Sequence, residues 1–141
     1  FAVAHQLRQD HAALYDAISR IDVTGIYKGY GAILQESRPI LRHDSQGPLL
    51  QFTIYNYDRA TTRLAEPEMS QLYAGIRYLD GLFNHPSYQW RYQLQPGQML
   101  VFDNWRVLHG RGAFQGQRKM AGAYVNREDY LSSLITHGLI S

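Results

Sequence analysis

The most informative stretch of this 141-residue sequence is Met99-Leu100-Val101-Phe102-Asp103-Asn104-Trp105-Arg106-Val107-Leu108-His109-Gly110. It opens with four consecutive apolar residues, passes through the turn-forming pair Asp103-Asn104, and returns to an apolar pair before His109. Short apolar runs on both sides of a turn signal are typical of buried β-strands. The stretch therefore predicts two strands, and Asp103 is interpreted as a corner residue rather than a metal ligand.

Other segments also have strand or turn patterns. Residues 50–54 and 90–94 alternate apolar and polar side chains, which is the two-residue period of a half-buried strand. Residues 121–125 resemble another strand. Residues 24–41 are predicted as loop and short strand, and residues 43–48 as a turn.

Apolar residues recur at helical spacing in three places. Residues 2–20 predict one or two short helices, and residues 65–84 predict one helix that stops at Asn84-His85-Pro86. Residues 126–134 predict a closing helix with Asn126 as its N-cap. Helices combined with a mainly antiparallel set of strands indicate the α+β class.

The composition excludes several classes of protein. The 14 basic and 12 acidic residues give a net charge of +2, too mild to indicate binding of nucleic acid or an anionic membrane. The lack of cysteine excludes disulfide scaffolds, thiolate zinc sites and cysteine nucleophiles. With no membrane-span or signal-peptide pattern, a soluble cytoplasmic protein is expected. Because Phe1 opens a helical pattern without a cap, we expect the chain to begin inside a larger domain.

Histidines are the candidate metal ligands, and the sequence has six of them: His5, His11, His43, His85, His109 and His137. None pairs with another at the spacing of a helical metal site, and most are interpreted as solvated. His109 differs because it follows an apolar run and precedes a glycine. Facing the inside of a barrel, it would be a metal ligand or a packed core residue, and the residues alone favour the core residue.

Arg118 lies nine positions after His109. If their two segments were neighbours in a hairpin, both side chains would face one cavity, where an arginine binds a carboxylate through paired charged hydrogen bonds. The residues alone favour a surface arginine. Tyr55, Tyr57 and Tyr124 are candidates for an aromatic cage around a quaternary ammonium ligand, although strands are enriched in tyrosine in any case.

The strings Phe102–Arg111 and Gly122–Asp129, with Phe114 and Arg118 between them, carry a family resemblance. They resemble the C-terminal half of the γ-butyrobetaine and trimethyllysine dioxygenases, which are taurine-dioxygenase-like Fe(II)- and 2-oxoglutarate-dependent oxygenases. The resemblance extends over nearly the whole chain and implies a double-stranded β-helix (jelly roll) with flanking helices. It also implies that residues 1–141 are the C-terminal part of a single catalytic domain, incomplete at the N-terminus.

The resemblance assigns roles to four residues. It implies that His109 is the distal histidine of an iron-binding 2-His-1-carboxylate triad and that Arg118 binds the far carboxylate of 2-oxoglutarate. Tyr124 would line the substrate side, and Asn56 belongs to a segment that contributes to substrate binding. The resemblance thereby reverses the interpretations of His109 and Arg118 that the residues alone favour.

The implied reaction is hydroxylation of a trimethylammonium substrate of carnitine biosynthesis, with release of succinate and CO2. Tyr57-Asp58-Arg59-Ala60 and the short spacing from His109 to Arg118 favour trimethyllysine, with γ-butyrobetaine close behind. A related oxygenase acting on an aminophosphonate or a sulfonate is an alternative. Fe(II), 2-oxoglutarate and ascorbate are the implied cofactors. The implied partner is a small molecule and not nucleic acid or a membrane, with a homodimer as assembly and a mitochondrial location in a eukaryote.

The sequence also departs from the family pattern. The His-x-Asp motif that supplies the other two iron ligands is absent, and His43-Asp44 has the wrong spacing. Tyr55 stands where relatives have an asparagine, and Ser133 where an arginine is common. We therefore expect the chain alone to bind iron poorly and to be inactive. The rival interpretation is a non-catalytic jelly-roll module that binds a small anion or a partner, which the presence of His109 and Arg118 disfavours.

Overall fold

The computed structural model describes residues 2–43, 50–52 and 63–141, and the side chains of Leu50 and Phe52 lie outside that description. The chain divides into two compact units, Phe1–His109 and Gly110–Ser141. Its class is α+β. The elements in chain order are α1 Ala2–Asp10, α2 Ala12–Arg20, β1 Asp22–Gly29, β2 Ala32–Pro39, β3 Leu41–His43, β4 Leu50–Phe52, α3 Glu68–Asn84, a 3-10 turn Pro86–Tyr88, and α4 Arg127–Thr136.

The core of the first unit lies between helices α1, α2 and α3 and the strands that follow α2. Its buried apolar side chains are Ala4, Leu7, Ala17, Ile18, Ile21, Val23, Ile40, Leu41, Leu72 and Leu79. Helices α2 and α3 approach closely at Gly75, where an added Cβ would lie 2.7 Å from Ile18 Cγ2. The Arg20–Glu68 ion pair, at 3.0 Å, joins the same two helices at the surface. The prediction of one or two short helices followed by a longer one is confirmed, and the short helices are two.

Helix ends also follow the sequence signals. Helix α3 ends at Asn84, and Pro86 comes directly after its C-cap, His85. Asn126 occupies the N-cap of α4 with an extended backbone, φ −62° and ψ 146°, as predicted. Glu128 and Asp129 lie in the first turn of α4, where negative charge is favourable. No helix of the described ranges is long and apolar enough to cross a membrane.

Residues 24–41 contain more strand than the sequence predicts. Strands β1 and β2 form an antiparallel hairpin of eight residues each, closed by Tyr30 and Gly31. Both loop residues have positive φ, 49° and 75°, which is the geometry of a type I′ turn. The Thr24 and Ser37 hydroxyls hydrogen-bond across the ladder at 2.7 Å. The prediction of loop and short strand is therefore wrong in extent, because Tyr30-Gly31 is not one of the dipeptides that mark a hairpin turn strongly in a sequence.

The second sheet is small. Strand β3 pairs antiparallel with β4 over three residues, from Leu41 opposite Phe52 to His43 opposite Leu50. This pairing confirms the first three residues of the predicted strand 50–54, and the remaining two lie outside the described residues. Of the turn predicted at 43–48, His43 belongs to β3 and the rest lies outside the description as well.

In residues 89–126 the structure differs from the sequence prediction, which places four strands there. The structure places no β-ladder in this range, so the strands predicted at 90–94, 99–102, 107–109 and 121–125 are wrong for the chain as described. The segments also expose most of their large apolar side chains. A strand satisfies its backbone hydrogen bonds only with a neighbouring strand. The local pattern is that of strands, but no described segment pairs with it.

Candidate functional site

Asp103 forms the corner that the sequence predicts. Its Oδ1 accepts a hydrogen bond from the Trp105 backbone N–H at 2.9 Å, which is an Asx turn. Its carbonyl oxygen accepts from the backbone N–H groups of Arg106 and Val107, both at 3.1 Å. The carboxylate is therefore occupied in holding the turn that leads to His109.

His109 lies at the end of the first unit and is exposed. Its interpretation as a packed core residue is thus wrong for the chain as described, since no layer of core covers it. The imidazole contacts the Phe102 ring at 4.7 Å between centroids, tilted by 58°. Its Nδ1 lies 3.4 Å from the Val107 carbonyl oxygen. The tautomer protonated on Nδ1 donates to that carbonyl and leaves the Nε2 lone pair directed away from it, as in metal-binding histidines.

Strand β2 reaches the same corner. The Arg38 guanidinium lies over the Trp105 ring with Cζ 5.8 Å from the centroid, and it also forms an ion pair with Glu36. Sequence reasoning missed this contact because it joins positions far apart in the chain, and nothing local to Arg38 marks it. The hairpin and the Asp103 turn are thereby linked within the first unit.

Arg118 lies in the second unit and is exposed, as the residue-based interpretation expects. Its Cζ is 5.5 Å from the centroid of the Phe114 ring, and its guanidinium also contacts Met120 Sδ. The Cζ of Arg111 is 5.4 Å from the same centroid. The condition for His109 and Arg118 to face one cavity, a hairpin between their two segments, is not met among the described residues, because neither segment takes part in a β-ladder.

Of the two candidates for substrate contact, Tyr124 lies within the described residues and Asn56 does not. Tyr124 lies in the second unit with 89% of its surface exposed, so its ring is accessible to a ligand. Asn56 lies outside the described residues, as do Tyr55 and Tyr57. Whether the tyrosines form an aromatic cage therefore stays a prediction.

Most of the other histidines have local structural contacts. His11 packs edge-on against Tyr78 at 4.6 Å between centroids, and His43 Nε2 lies 3.0 Å from the Tyr15 hydroxyl. His85 Nδ1 accepts a hydrogen bond from the Ser87 N–H at 3.3 Å, and His137 Nδ1 lies 2.7 Å from the Ser133 carbonyl. These contacts agree with their interpretation as ordinary surface histidines.

Asp10 anchors a polar cluster between α1, α3 and the 3-10 turn. The Tyr78 hydroxyl donates to Asp10 Oδ2 at 2.5 Å, the Gln6 amide donates to the same oxygen at 2.9 Å, and the Tyr88 hydroxyl donates to Gln6 Oε1 at 3.1 Å. The hydrogen bond from Tyr78 is the main cause that lowers the pKa of Asp10, and the same bond raises the pKa of Tyr78. The cluster is a tie between helices.

The comparison with protein families is decisive for residues 1–124, which match the family model described as "Taurine catabolism dioxygenase TauD, TfdA family". The chain belongs to the TauD/TfdA family. The matched range includes His109, Arg118 and Tyr124 and covers most of the chain. The family resemblance read from the sequence is therefore confirmed.

The relatives of this TauD/TfdA chain carry dioxygenase names. It is 34% identical over 139 residues to "Trimethyllysine dioxygenase" of Meyerozyma guilliermondii, covering 95% of this chain and 35% of the relative. It is 30% identical over 138 residues to "Gamma-butyrobetaine dioxygenase" of Pseudomonas sp., covering 96% of this chain and 36% of the relative. A human "Trimethyllysine dioxygenase, mitochondrial" is 38% identical over 85 residues, 60% of this chain and 20% of the relative. The chain spans about a third of the length of the first two relatives.

The family implies iron, and the described residues of this TauD/TfdA chain do not hold it by themselves. A facial triad needs two histidines and a carboxylate around one point. No group of three metal-binding side chains occurs among the residues that the structure describes. His109 is one candidate donor, and its Nε2 is suitable.

A side chain suited to binding a carboxylate, in contrast, is present among the described residues. The Arg118 guanidinium is exposed and carries N–H donors in the fork geometry that matches a carboxylate. Its Cζ lies over the Phe114 ring, and one of its terminal nitrogens, Nη2, contacts Met120 Sδ. The remaining N–H groups are available for a carboxylate.

Proposed function

We propose that residues 1–141 are the C-terminal part of a single Fe(II)- and 2-oxoglutarate-dependent dioxygenase domain. The supporting observation is that the family match covers almost nine-tenths of this chain and includes His109 and Arg118. The short share of the relatives' length, 35% and 36%, is consistent with a part of a domain. In this proposal the chain supplies one iron ligand and the carboxylate-binding arginine, and the other two ligands lie outside the described residues.

The proposed substrate is a trimethylammonium compound, with trimethyllysine ahead of γ-butyrobetaine. The names of the relatives support the class, because a trimethyllysine dioxygenase is 34% identical and a γ-butyrobetaine dioxygenase 30% identical to this chain. Hydroxylation would release succinate and CO2 from 2-oxoglutarate. Tyr124 and Asn56 are proposed to contact the substrate, and the exposed ring of Tyr124 supports its part.

A jelly roll is the proposed fold of the complete domain. The segments 90–94, 99–102, 107–109 and 121–125 have strand patterns but no partner among the described residues. Their exposed apolar side chains would become buried if strands from the rest of the domain paired with them.

The proposal is tested with two variants in the protein at its full encoded length. Arg118→Ala removes a charge-assisted carboxylate pair, so the Kd for 2-oxoglutarate should rise about ten- to a hundredfold by calorimetry. Lys119→Ala is the matched control, because it removes the neighbouring positive charge without removing the proposed binding group. His109→Ala should abolish trimethyllysine-dependent succinate formation, while His137→Ala should leave it unchanged.

The outcomes separate the proposal from its rivals. If Arg118→Ala and His109→Ala both behave like the wild type, the assigned roles are wrong. A non-catalytic anion-binding module, favoured by the absence of His-x-Asp in this sequence, would show the Arg118→Ala loss with no succinate formation by the wild type. Turnover with γ-butyrobetaine, an aminophosphonate or a sulfonate but not with trimethyllysine would keep the chemistry and change the substrate.

A further inference from the structure

Phe114 lies against two guanidinium groups in the second unit. The Cζ atoms of Arg111 and Arg118 are 5.4 Å and 5.5 Å from the centroid of its ring. Both distances are within the range of about 6 Å in which a cation is attracted by the negative face of an aromatic ring. One phenylalanine therefore holds both arginines that flank it in sequence.

The local backbone explains how Arg118 returns to this ring. Gly116 lies midway between Phe114 and Arg118 and has φ +87°, a conformation that other residues rarely adopt. The chain bends at this glycine, and the Arg118 side chain folds back over Phe114. The contact thus depends on every second residue of this segment: Phe114 supplies the ring, Gly116 the bend and Arg118 the guanidinium.

Holding an arginine in place matters for carboxylate binding. A free arginine side chain loses much rotamer freedom when it forms two parallel hydrogen bonds, and this loss weakens binding. A ring contact orders the guanidinium beforehand, and the N–H groups that do not face the ring stay available. Met120 Sδ also contacts the guanidinium of Arg118. Arg111 adds a second positive charge near the same point.

We propose that Phe114 is a positioning residue, which orients Arg118 for the distal carboxylate of 2-oxoglutarate. This inference rests on the role of Arg118 in the proposed function. Phe114 contributes through the face of its ring and does not touch the co-substrate. Its effect is therefore confined to ligands that use Arg118.

The test measures co-substrate affinity in the protein at its full encoded length. Phe114→Leu keeps an apolar side chain and removes the ring, so the Kd for 2-oxoglutarate should rise about two- to fivefold. Phe114→Tyr keeps the ring face and should restore the wild-type Kd. Tyr130→Leu in α4 is the matched control, since Tyr130 is 50% exposed and Phe114 is 51% exposed. The control should leave the Kd unchanged.

Two comparisons separate positioning from a general structural effect. The ligand 2-oxopentanoate has the 2-oxo acid end but lacks the distal carboxylate, so Phe114→Leu should not change its Kd. In an Arg118→Ala background, Phe114→Leu should have no further effect on 2-oxoglutarate binding. In steady-state kinetics, Phe114→Leu should raise the KM for 2-oxoglutarate and leave kcat unchanged.

The failures are distinguishable. If Arg118→Ala weakens 2-oxoglutarate binding but Phe114→Leu does not, the positioning role is wrong and the proposed function stands. A Phe114→Leu loss that persists for 2-oxopentanoate or in the Arg118→Ala background also overturns the positioning role. If Arg118→Ala itself leaves the affinity unchanged, the co-substrate assignment and the inference are both wrong.

Discussion

The helices of the first unit bury their apolar side chains, whereas the segment 89–126 exposes most of its large apolar side chains. Leu72 and Leu79 of α3 are at most 1% exposed and pack against α1 and α2. Met99 and Val101, in the predicted strand region, are 86% and 69% exposed. Both regions are rich in apolar residues, so composition does not separate them.

The difference comes from where each element finds its hydrogen-bond partners. A helix satisfies its backbone within itself, so α1, α2 and α3 need one another only to cover their apolar faces. A strand needs a neighbouring strand before its backbone or its apolar face can be buried. The helical core is therefore complete within the described residues, whereas the segments at 99–102 and 121–125 are not paired.

The largest expected effect on stability comes from comparing a leucine-to-alanine substitution in each of the two regions. Leu79→Ala opens a cavity in the helical core, since Leu79 is fully buried, and should lower the free energy of unfolding by about 2–5 kcal/mol. Leu100→Ala removes the same atoms from a side chain that is 45% exposed. This variant should change the free energy of unfolding by about 0.5 kcal/mol or less. Urea unfolding of the 141-residue chain measures both.

Equal losses from the two leucine variants would break the comparison. That result would mean that residues 99–102 are buried in solution, so that the contrast between the two regions is wrong. A large loss only for Leu79→Ala would support it. The slope of the unfolding curve should stay unchanged in both variants, because neither alters the surface exposed on unfolding by much.

The sequence predicts well the elements that form their hydrogen bonds locally, such as helices and the Asp103 turn. It predicts poorly the strands, which need a partner far away in sequence. Helical periodicity predicts α1, α2 and α3, and the Asp103-Asn104 pair predicts the corner that Asp103 forms. The long hairpin was missed because its turn, Tyr30-Gly31, is not one of the strongest turn dipeptides. The segments predicted as strands at 90–125 have the right local pattern, but pairing depends on residues far away in sequence.

In the candidate site, too, the sequence indicates the motifs but not the contacts between side chains. The motif around His109 and the position of Arg118 are visible in the sequence and lie within the range that matches the family, whereas their roles at a site stay a prediction. The ring contact between Phe102 and His109 and the stack of Arg38 on Trp105 are set by side-chain packing. No periodicity or spacing predicts such contacts, because they depend on backbone geometry that the turns impose.

Two glycines of α3 give a smaller but sharper test of the helical core. An added Cβ at Gly75 would lie 2.7 Å from Ile18 Cγ2, so Gly75→Ala should overpack the α2–α3 contact. Overpacking costs about 1–3 kcal/mol, and the helix propensity of alanine offsets up to about 1 kcal/mol of it. We expect a net loss of about 1 kcal/mol, measured by chemical denaturation.

Gly81→Ala is the matched control on the same helix. An added Cβ at Gly81 meets no described atom within 4 Å, so only the propensity term remains. The variant should therefore be stabilised by about 0.5–1 kcal/mol. If Gly75→Ala is also stabilised, α2 and α3 are packed less tightly than the structure shows.

The smallest expected effect is the pH dependence of the tie between α1 and α3. The hydrogen bond from Tyr78 lowers the pKa of Asp10 below its unfolded value of about 3.9. A lowered carboxyl pKa contributes stability that is present above the unfolded pKa and is lost as the pH falls through the folded one. The same bond raises the pKa of Tyr78, so its contribution is present below about pH 10 and is lost at higher pH.

Asp10→Asn should remove both pH-dependent contributions from the stability of the chain. Tyr78→Phe should shrink the loss of stability below pH 4 and abolish the loss of stability above pH 10, whereas Tyr73→Phe, which changes an exposed tyrosine of the same helix, should keep both losses. Thermal unfolding at pH values from 3 to 11 measures these differences. If the three variants have the same pH profile as the wild type, the cluster does not hold α1 to α3 in solution. Because Asp10 is exposed, the tie must act together with the buried side chains of α1, α2 and α3, which carry most of the stability.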